Sequence, residues 1–293
     1  MSWAITIAGT VHIDDVTTPG GHHPCAQGGT AVYSALAASD LAPVRVASIV
    51  GRDREATVRE LFADRAINTD DLQVSDLPTF HWKAVHDFSS WTTSHESVLE
   101  AGCDARWDRR LGAESAAAPV LFIGSMAPAF QLDLLAQSSA FLIGAGTMTE
   151  FIDSQPATVR SVVERIDILF VNRTELAGLE PAFVADWHAA ARALIEPGRG
   201  RLRAVVVTAG PLGAAVVSEG RLVELPAAPV ETVVDPTGAG DALAAGFLGA
   251  CARAERAEED FFPQALRSGL HHAALAISRF GCDGLARSAD PRR

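Results

Sequence analysis

The feature that most constrains the fold is an alternation, along most of the chain, between short apolar runs and longer alanine-rich segments with helical period. The predicted buried strands are residues 4–8, 44–50, 120–123, 141–143, 168–171, 204–208 and 213–217. The predicted helices are residues 29–39, 56–66, 128–136, 158–165, 185–195, 241–253 and 263–279. Several strands are joined by enough chain for the crossover that parallel pairing requires. The pattern therefore predicts an α/β protein in which helices cover a mostly parallel sheet.

Two segments interrupt this alternation. The first is rich in proline and glycine, and the second alternates loosely between apolar and polar side chains without the Val/Ile runs of the predicted core. We interpret them together as a small, exposed β lid, formed by residues 12–25 and 78–100. The predicted core is then residues 1–11, 26–77 and 101–293.

The aromatic and histidine side chains of the lid allow more than one interpretation. Packing within the lid or a dimer contact is the simplest role for the aromatics, and stacking of one of them on a sugar is the alternative: Phe80, Trp82, Phe88 and Trp91. We interpret the histidines as polar lid residues, because a zinc site needs three or four ligands at defined spacings. The alternative metal cluster would combine His22, His23 and Cys25 with His81, His86 and His95.

Charge and cysteine content narrow the classes of partner. The 293 residues carry a formal net charge of −12, so neither nucleic acid nor an anionic membrane is expected as a partner. The four cysteines are scattered and form no CxxC pair, which is typical of reduced thiols in a cytosolic protein. No apolar run approaches the roughly 20 residues that cross a bilayer, and the first residues lack the basic start of a signal peptide. These features predict a soluble, cytoplasmic protein.

Residues 233–248 are the most informative segment for chemistry. Asp235 and Pro236 turn the chain after a predicted strand, Gly238 and Gly240 flank Ala239, and an apolar helix follows. Glycine lets a backbone approach a ligand and adopt dihedral angles that other residues resist. The N–H groups of residues 238–241 are therefore predicted to point into one concavity at the start of the helix, where they would form an anion hole.

Asp241 is the last residue of this loop. Its carboxylate is badly placed to bind phosphate but well placed to take a proton from an attacking hydroxyl. Phosphoryl transfer needs this combination of N–H donors for the transferred charge and a base beside the nucleophile. A glycine turn with an aspartate cap is the structural alternative. The complete seven-residue sequence between a strand and a buried helix favours the catalytic interpretation.

The sequence Asp-Pro-Thr-Gly-Ala-Gly-Asp closely resembles the signature of the ribokinase-like, or PfkB, family of carbohydrate kinases. Four further motifs extend the resemblance over essentially the whole chain: Gly28-Gly29, Val50-Gly51-Arg52-Asp53, Asn172-x-x-Glu175 and Thr208-x-Gly210-x-x-Gly213. The resemblance implies a ribokinase-like three-layer α/β/α fold with a small β-sheet lid. It also implies ATP and Mg²⁺ as cofactors, a small hydroxylated substrate, and a homodimer formed through the lid.

Two of these motifs follow predicted strands, and open α/β sheets bind ligands at the carboxyl ends of their strands. We expect Asn172 to meet a phosphate of the nucleotide and Glu175 to hold Mg²⁺ through water molecules. A reciprocal capping box between the two residues is the structural alternative. Thr208, Gly210 and Gly213 are expected to receive the phosphates and ribose of the nucleotide, with a plain strand turn as the alternative.

The resemblance further implies which residues bind the acceptor. Asp14 would hold substrate hydroxyls, and Gly28 and Gly29 would present backbone N–H groups to the substrate. Ribokinase itself tends to carry asparagine where this chain has His12 and Tyr33. Those two residues are therefore candidate acceptor contacts, and ribose is in doubt as the substrate.

In some members of the family a monovalent cation lies near the phosphoryl-transfer loop. Asp235 and Thr237 would contribute oxygens to such an ion, for example K⁺. Altogether the sequence predicts an ATP-dependent kinase that transfers the γ-phosphate to a hydroxyl of a sugar or polyol. A nucleoside kinase of the same fold and a ligand-binding relative without turnover are the alternatives. The presence of Asp241 and both loop glycines counts against the second of these.

Overall fold

The computed structural model describes residues 3–89, 92–96, 102–196, 198 and 200–287. Its strands are β1 Ile5–Ala8, β2 His12–Thr18, β3 Gly21–Gly28, β4 Val44–Gly51, β5 Ile67–Asn68, β6 Leu72–Ser75, β7 Phe80–Asp87, β8 Thr92–Glu96, β9 Val120–Ile123, β10 Leu142–Gly146, β11 Ile168–Asn172, β12 Ala204–Thr208, β13 Ala214–Ser218 and β14 Arg221–Leu225. Its α-helices are α1 Thr30–Ser39, α2 Arg52–Ala63, α3 Ala113–Ala116, α4 Pro128–Leu135, α5 Thr149–Ser154, α6 Pro156–Val163, α7 Arg173–Leu179, α8 Trp187–Leu194, α9 Ala239–Ala254, α10 Phe262–Ala276 and α11 Asp283–Ala286.

The larger of two sheets has the strand order β14-β13-β12-β11-β10-β9-β1-β4-β5, and β6 also pairs with β4. In this sheet the neighbouring strands β12, β11, β10, β9, β1, β4 and β5 all pair in parallel, and β6 pairs in parallel with β4. Strands β13 and β14 add an antiparallel edge next to β12. The prediction of a mostly parallel central sheet is confirmed. Parallel pairing brings the carboxyl ends of β1, β9, β10, β11 and β12 to one edge, where ligands bind in open α/β sheets.

Helices cover both faces of this sheet. One hydrophobic cluster joins a face of the sheet to α1, α9 and α10, and a second joins the opposite face to α6, α7 and α8. Along β12, Val206 belongs to the first cluster while Val205 and Val207 belong to the second. Because both faces are buried, the strands read as continuous apolar runs rather than as an alternation. The predicted three-layer α/β/α architecture is confirmed.

The lid is a separate sheet with the order β3-β2-β7-β8. β2 pairs antiparallel with β3 and parallel with β7, so the two segments that interrupt the sequence pattern form one structure. β3 continues to Gly28, which pairs with His12. Of the predicted lid, residue 90, Trp91 and residues 97–100 lie outside the described residues. The domain boundaries and the pairing of two chains through the lid stay predictions.

Several predicted element boundaries were wrong. Helix α2 begins at Arg52 rather than at residue 56, and its first turn contains Asp53 and Glu55, which interact favourably with the helix N-terminus. Helix α7 and the half-exposed edge strand β14 were not predicted as elements. All four cysteines are free thiols, in agreement with the prediction. Within the described part of the chain, no helix is long and apolar enough to cross a membrane.

Candidate active site

A cleft of about 600 Å³ lies between the lid and the carboxyl edge of the large sheet. Its floor includes the residues that follow three parallel strands: Thr10 after β1, Ser125 after β9 and Thr147 after β10. Its roof comes from the lid strands β2 and β7. A smaller cavity of about 150 Å³ shares part of this wall and extends past the end of β12. The two spaces meet at Asp241, which lines both.

The predicted anion hole lies at the start of α9. Gly238 is the residue before the helix and has φ 74° and ψ 0°, a left-handed conformation that favours glycine. Among the described residues, the N–H groups of Gly238, Gly240 and Asp241 have no hydrogen-bond acceptor, whereas the N–H of Ala239 donates to the Pro236 carbonyl at 3.3 Å. Three of the four predicted donors are therefore available to a ligand, and a helix N-terminus favours an anion there.

The expectation that Gly240 needs a glycine conformation was wrong. Its φ is not positive, because it lies within the first turn of α9. An added Cβ at Gly240 would meet no atom within 4 Å. Gly240 therefore borders open space, so a larger residue there would not clash with the protein and would only fill that space.

Asp241 lies in the first turn of α9 and faces the cleft. Burial raises the pKa of its carboxyl to about 7. The ring of His12 offsets part of this rise, and the carboxylates of Asp14 and Glu175 add to it. A general base works best when its pKa lies near the operating pH. The environment of Asp241 therefore suits a group that accepts a proton near neutral pH.

Asp14 is the second carboxylate of the cleft, and only 1% of its surface is exposed. Neither of its carboxylate oxygens has a hydrogen-bond partner among the described residues. Burial raises its pKa to about 7, the His12 ring lowers it, and the buried Asp235 carboxylate raises it further. The nearby Tyr33 hydroxyl lowers this pKa, although its geometry does not make a hydrogen bond to either oxygen. A buried carboxylate without partners is unfavourable by itself. Its oxygens are therefore available to hydrogen-bond donors of a ligand, and its contact with substrate hydroxyls stays a prediction.

Gly28 and Gly29 leave space for the carboxylate of Asp14 and for the neighbouring backbone. A Cβ on Gly28 would lie 1.7 Å from Oδ2 of Asp14, so any larger residue would displace the acid. Gly29 precedes α1 with φ 96°, and a Cβ there would lie 2.4 Å from the Thr10 carbonyl oxygen. Gly29 lines the cleft and Gly28 does not, so contact of their N–H groups with a substrate stays a prediction.

His12 and Tyr33 both line the cleft beside Asp14. The His12 ring packs on Phe80 with centroids 4.5 Å apart, and its Nε2 lies 3.8 Å from Oδ2 of Asp104. The Tyr33 ring is buried against Gly238, where an added Cβ would lie 2.3 Å from the ring. The Tyr33 hydroxyl has no hydrogen-bond partner among the described residues. Burial raises its pKa well above the usual value, and the charge of Asp14 adds to that rise.

Asn172 and Glu175 line both the cleft and the smaller cavity. They also form the capping box of α7: the Asn172 N–H donates to Oε2 of Glu175 at 2.8 Å, and the Glu175 N–H donates to Oδ1 of Asn172 at 2.9 Å. Burial raises the pKa of Glu175 to about 7, and its bonds to Asn172 lower it. The capping box that was the structural alternative is thus present. It holds both side chains at the wall of the cleft where the nucleotide is expected.

The predicted nucleotide residues do not all come together. Thr208 lines the smaller cavity, but Gly210 and Gly213 line neither this cavity nor the cleft. Gly213 has φ 100°, and an added Cβ would lie 2.1 Å from the Leu225 carbonyl oxygen. The structural reason for Gly213 is therefore the tight turn into β13. A role of these two glycines in nucleotide binding stays a prediction.

Asp235 connects two loops. It is fully buried, its Oδ1 accepts the N–H of Thr237 at 2.9 Å, and its Oδ2 accepts the N–H of Gly281 at 3.0 Å. Both oxygens therefore serve the shape of the loop that precedes α9. Among the described residues, no group of three or more His, Cys, Asp or Glu side chains converges as a metal cluster would. The side chain of His95, one member of the alternative zinc cluster, lies outside the described residues.

His86 is a cleft residue whose position the sequence analysis did not identify. It lies on β7, is 7% exposed, and its Nε2 is 2.9 Å from Oγ1 of Thr237. Trp82, on the same strand, also lines the cleft. Residues two apart on a strand face the same side. The spacing of Trp82, Ala84 and His86 could therefore have identified the inner face of the lid once β7 was recognised.

Comparison with known proteins agrees with this architecture. The chain matches the pfkB family of carbohydrate kinases over residues 7–288. It is 28% identical to a cytidine kinase of Thermococcus kodakarensis, in a match that covers 94% of this chain and 97% of that protein. It is 25% identical to a ribokinase of Haemophilus influenzae, in a match that covers 100% of this chain and 97% of that protein. It superposes on the crystal structure of a ribokinase of Cryptococcus neoformans var. grubii in complex with ADP, with a TM-score of 0.75 and 23% identity over 97% of each chain. The match spans nearly the whole length, so the chain belongs to the pfkB family of carbohydrate kinases and is a phosphotransferase that acts on an alcohol group.

Proposed function

We propose that this protein transfers the γ-phosphate of ATP to a hydroxyl of an uncharged sugar or nucleoside, with Asp241 as the general base. The observation that carries the proposal is the meeting of two carboxylates, the buried Asp14 and the partly exposed Asp241, in one cleft beside free N–H groups at the start of α9. Asp14 accepts hydrogen bonds from acceptor hydroxyls. Asp241 removes the proton of the hydroxyl that attacks.

The glycine loop, residues 235–241, supplies the electrostatic part of the mechanism. The N–H groups of Gly238, Gly240 and Asp241 stabilise the charge that develops on the transferred phosphoryl group, and they need no reorganisation to do so. The Asp235 carboxylate fixes the turn that aims them. Asp241 is adjacent to the attacking oxygen, and its raised pKa lets it hold the transferred proton.

The donor set at the nucleotide wall fits Mg²⁺. This ion prefers oxygen ligands and is usually held by one or two carboxylates together with substrate phosphates and water. Glu175 supplies a carboxylate and Asn172 a carboxamide oxygen at the place where the two cavities meet. When bound, Mg²⁺ would neutralise charge on the phosphates.

The carbonyl oxygens of Asp235 and Thr237 stay the proposed ligands of a K⁺ ion, because the Asp235 side chain already accepts two N–H bonds.

The charge of the cleft restricts the acceptor. No lysine or arginine is among the described residues that line it, whereas Asp14, Glu175 and Asp241 contribute carboxyl groups. Arg173 follows the cleft residue Asn172 in sequence, but it lines a different cavity. There its guanidinium lies over the Trp187 ring, 5.1 Å from the ring centroid. An acceptor that already carries a phosphate would meet repulsion from these carboxylates with no lysine or arginine to compensate it. We therefore propose an unphosphorylated acceptor.

A nucleoside is a specific candidate for that acceptor. Trp82 and Met148 line the cleft together with the polar groups around Asp14, so the cleft offers an aromatic and a thioether surface besides its hydroxyl-binding end. A nucleobase would pack on such a surface. The similarity to a cytidine kinase over nearly the whole chain supports this candidate.

Release of ADP tests the proposal. Purified protein with ATP and Mg²⁺ is assayed against neutral sugars, polyols, nucleosides and their phosphorylated counterparts. We expect turnover with a neutral acceptor and none with a sugar phosphate. Asp241→Asn is expected to lower kcat by about 10²–10⁴-fold and to leave ATP affinity nearly unchanged. Asp283→Asn, at an exposed carboxylate on α11, is the matched control.

Two results would contradict these assignments. An Asp241→Asn variant with more than about a third of the wild-type kcat would remove Asp241 as the base, since a general base contributes far more than that. Binding of ATP and of an acceptor without any ADP release would identify the chain as the ligand-binding relative that lacks turnover.

A further inference from the structure

The contact between His86 and the glycine loop joins two parts of the molecule that are far apart in sequence. His86 lies near the end of β7 in the lid, and Thr237 lies 151 residues later in the core. The His86 Nε2 and the Thr237 Oγ1 are 2.9 Å apart, and the same nitrogen is 3.8 Å from Oδ1 of Asp235. His86 is 7% exposed, Asp235 is fully buried and Thr237 is half-buried, so this contact is partly shielded from water.

The loop side of the contact is tightly connected to the anion hole. Thr237 directly precedes Gly238, and its own N–H donates to Asp235. The left-handed conformation of Gly238 then sets the direction of the N–H groups of Gly240 and Asp241. A movement of Thr237 is therefore transmitted to the donors that are proposed to stabilise the phosphoryl group.

His86 belongs to the same sheet as the residues that are proposed to bind the acceptor. Strand β7 pairs in parallel with β2, in a register that places Trp82 opposite Asp14. β2 carries His12 and Asp14, both of which line the cleft. One sheet thus holds the acceptor-binding residues and, through His86, contacts the glycine loop.

We propose that His86 is a positioning residue that couples the lid to the glycine loop. It holds Thr237 so that the N–H groups of Gly240 and Asp241 face the cleft while the lid covers the acceptor. His86 acts through Thr237 and not on the reacting atoms. The inference rests on the proposed function, because it gives the glycine loop its role in phosphoryl transfer.

Three variants and one control test this coupling in the full-length chain. His86→Ala removes the ring, Thr237→Val removes the partner hydroxyl with little change in shape, and His86→Gln retains an N–H group on a side chain of similar reach. The control is His22→Ala, which removes an exposed lid histidine paired with Asp15 on the same sheet. Each protein is assayed for kcat and for the KM of ATP and of the acceptor. Hydrogen exchange is measured on the peptide that covers residues 235–241.

We expect kcat to fall about tenfold in His86→Ala and in Thr237→Val, since the loss of a partly buried side-chain hydrogen bond corresponds to a factor of up to roughly that size. Both KM values should stay within about threefold. The double variant should lose no more than about twofold beyond either single change, because both remove the same interaction. His86→Gln should recover most of the lost kcat. Exchange in residues 235–241 should be faster in His86→Ala and Thr237→Val and unchanged in His22→Ala.

Independent, multiplicative losses in the double variant would overturn the proposal. So would unchanged exchange in the loop, or a raised acceptor KM with normal kcat, which would make His86 an acceptor contact. If His86→Ala does not fold, Thr237→Val carries the same comparison. The exchange measurement also separates this proposal from the proposed function. Faster loop exchange in His86→Ala, alongside full activity of Asp241→Asn, would leave the coupling in place and exclude Asp241 as the base.

Discussion

Replacing Asp14 by asparagine tests two effects of this carboxylate separately: its contribution to acceptor binding and its unfavourable contribution to the stability of the folded protein. The change keeps the shape of the side chain beside Gly28, where there is no space for a larger group. It removes a charge that is 1% exposed and that has no hydrogen-bond partner among the described residues. We expect the variant to bind the acceptor less tightly and to gain stability relative to the wild type as the pH rises.

The size of the stability change follows from the pKa of Asp14. The folded protein raises this pKa from 3.8 to about 7, so the folded state holds the proton over a pH range in which the unfolded chain has lost it. Stability therefore falls as the pH rises through that range. One unit corresponds to about 1.4 kcal/mol, so the unfavourable contribution is about 2 kcal/mol at about pH 5 and about 4 kcal/mol at about pH 8. Below the unfolded pKa it vanishes.

Asparagine does not titrate, and its buried carboxamide opposes folding by an amount that does not depend on pH. The difference in the free energy of unfolding between Asp14→Asn and wild type should therefore move in favour of the variant, by about 2–3 kcal/mol, from about pH 5 to about pH 8. Each charge-assisted hydrogen bond to the acceptor contributes about 1.5–3 kcal/mol. Its loss should raise the acceptor KM about tenfold or more, and the ATP KM should change little.

Urea unfolding at the two pH values measures the first effect, and separate titration of acceptor and ATP measures the second. Asp15→Asn is the matched control, because Asp15 lies on the same strand but faces the other side of the lid, paired with His22. We expect the control to show neither effect. A stability difference that is independent of pH, an unchanged acceptor KM, or an equal rise in both KM values would refute the reasoning.

Three further changes test other parts of the site. Gly240→Val should fold, because its Cβ meets no protein atom, but should lower kcat far more than the melting temperature; normal kcat would mean that the loop is only a turn. Glu175→Gln should keep the capping box of α7, since glutamine also serves at that position, and should raise the Mg²⁺ concentration needed for half-maximal rate; an unchanged Mg²⁺ requirement would limit Glu175 to capping. Gly238→Ala should lose both stability and turnover, because φ 74° is unfavourable for alanine and its Cβ would lie 2.3 Å from the Tyr33 ring; a melting temperature equal to that of the wild type would contradict the packing described.

The α/β class could be predicted from the sequence because burial on both faces leaves a direct trace in each strand. Val205, Val206 and Val207 are all apolar since helices cover both sides of β12. Edge strands leave a weaker trace. Every residue of β14 is half-buried or exposed, and the strand was missed for that reason. Helix α2 was predicted to begin four residues too late because its first turn is charged, which hides the helical period.

The candidate site was also partly contained in the sequence. The glycine loop around Asp241 combines residues that are adjacent in the chain, so local chemistry was enough to predict its role. Asp14 was predicted through the family resemblance and its position after the first strand. The roles of Asn172 and Glu175 stayed divided between capping and ligand binding, and the structure shows that the cap and a place at the cleft wall occur together.

By itself the sequence determined the layered fold, the glycine loop and the carboxylates to consider, because each depends on neighbours within a few residues or on the period of burial. The tertiary structure alone decided which distant groups meet. It placed β2 parallel to β7, brought His86 of the lid to Thr237, and left Asp14 buried without a partner. The pKa values of Asp14 and Asp241 follow from the same packing, since desolvation and neighbouring charges depend on segments that are far apart in the chain. Distances of this kind are fixed only when the lid and the core fold against each other.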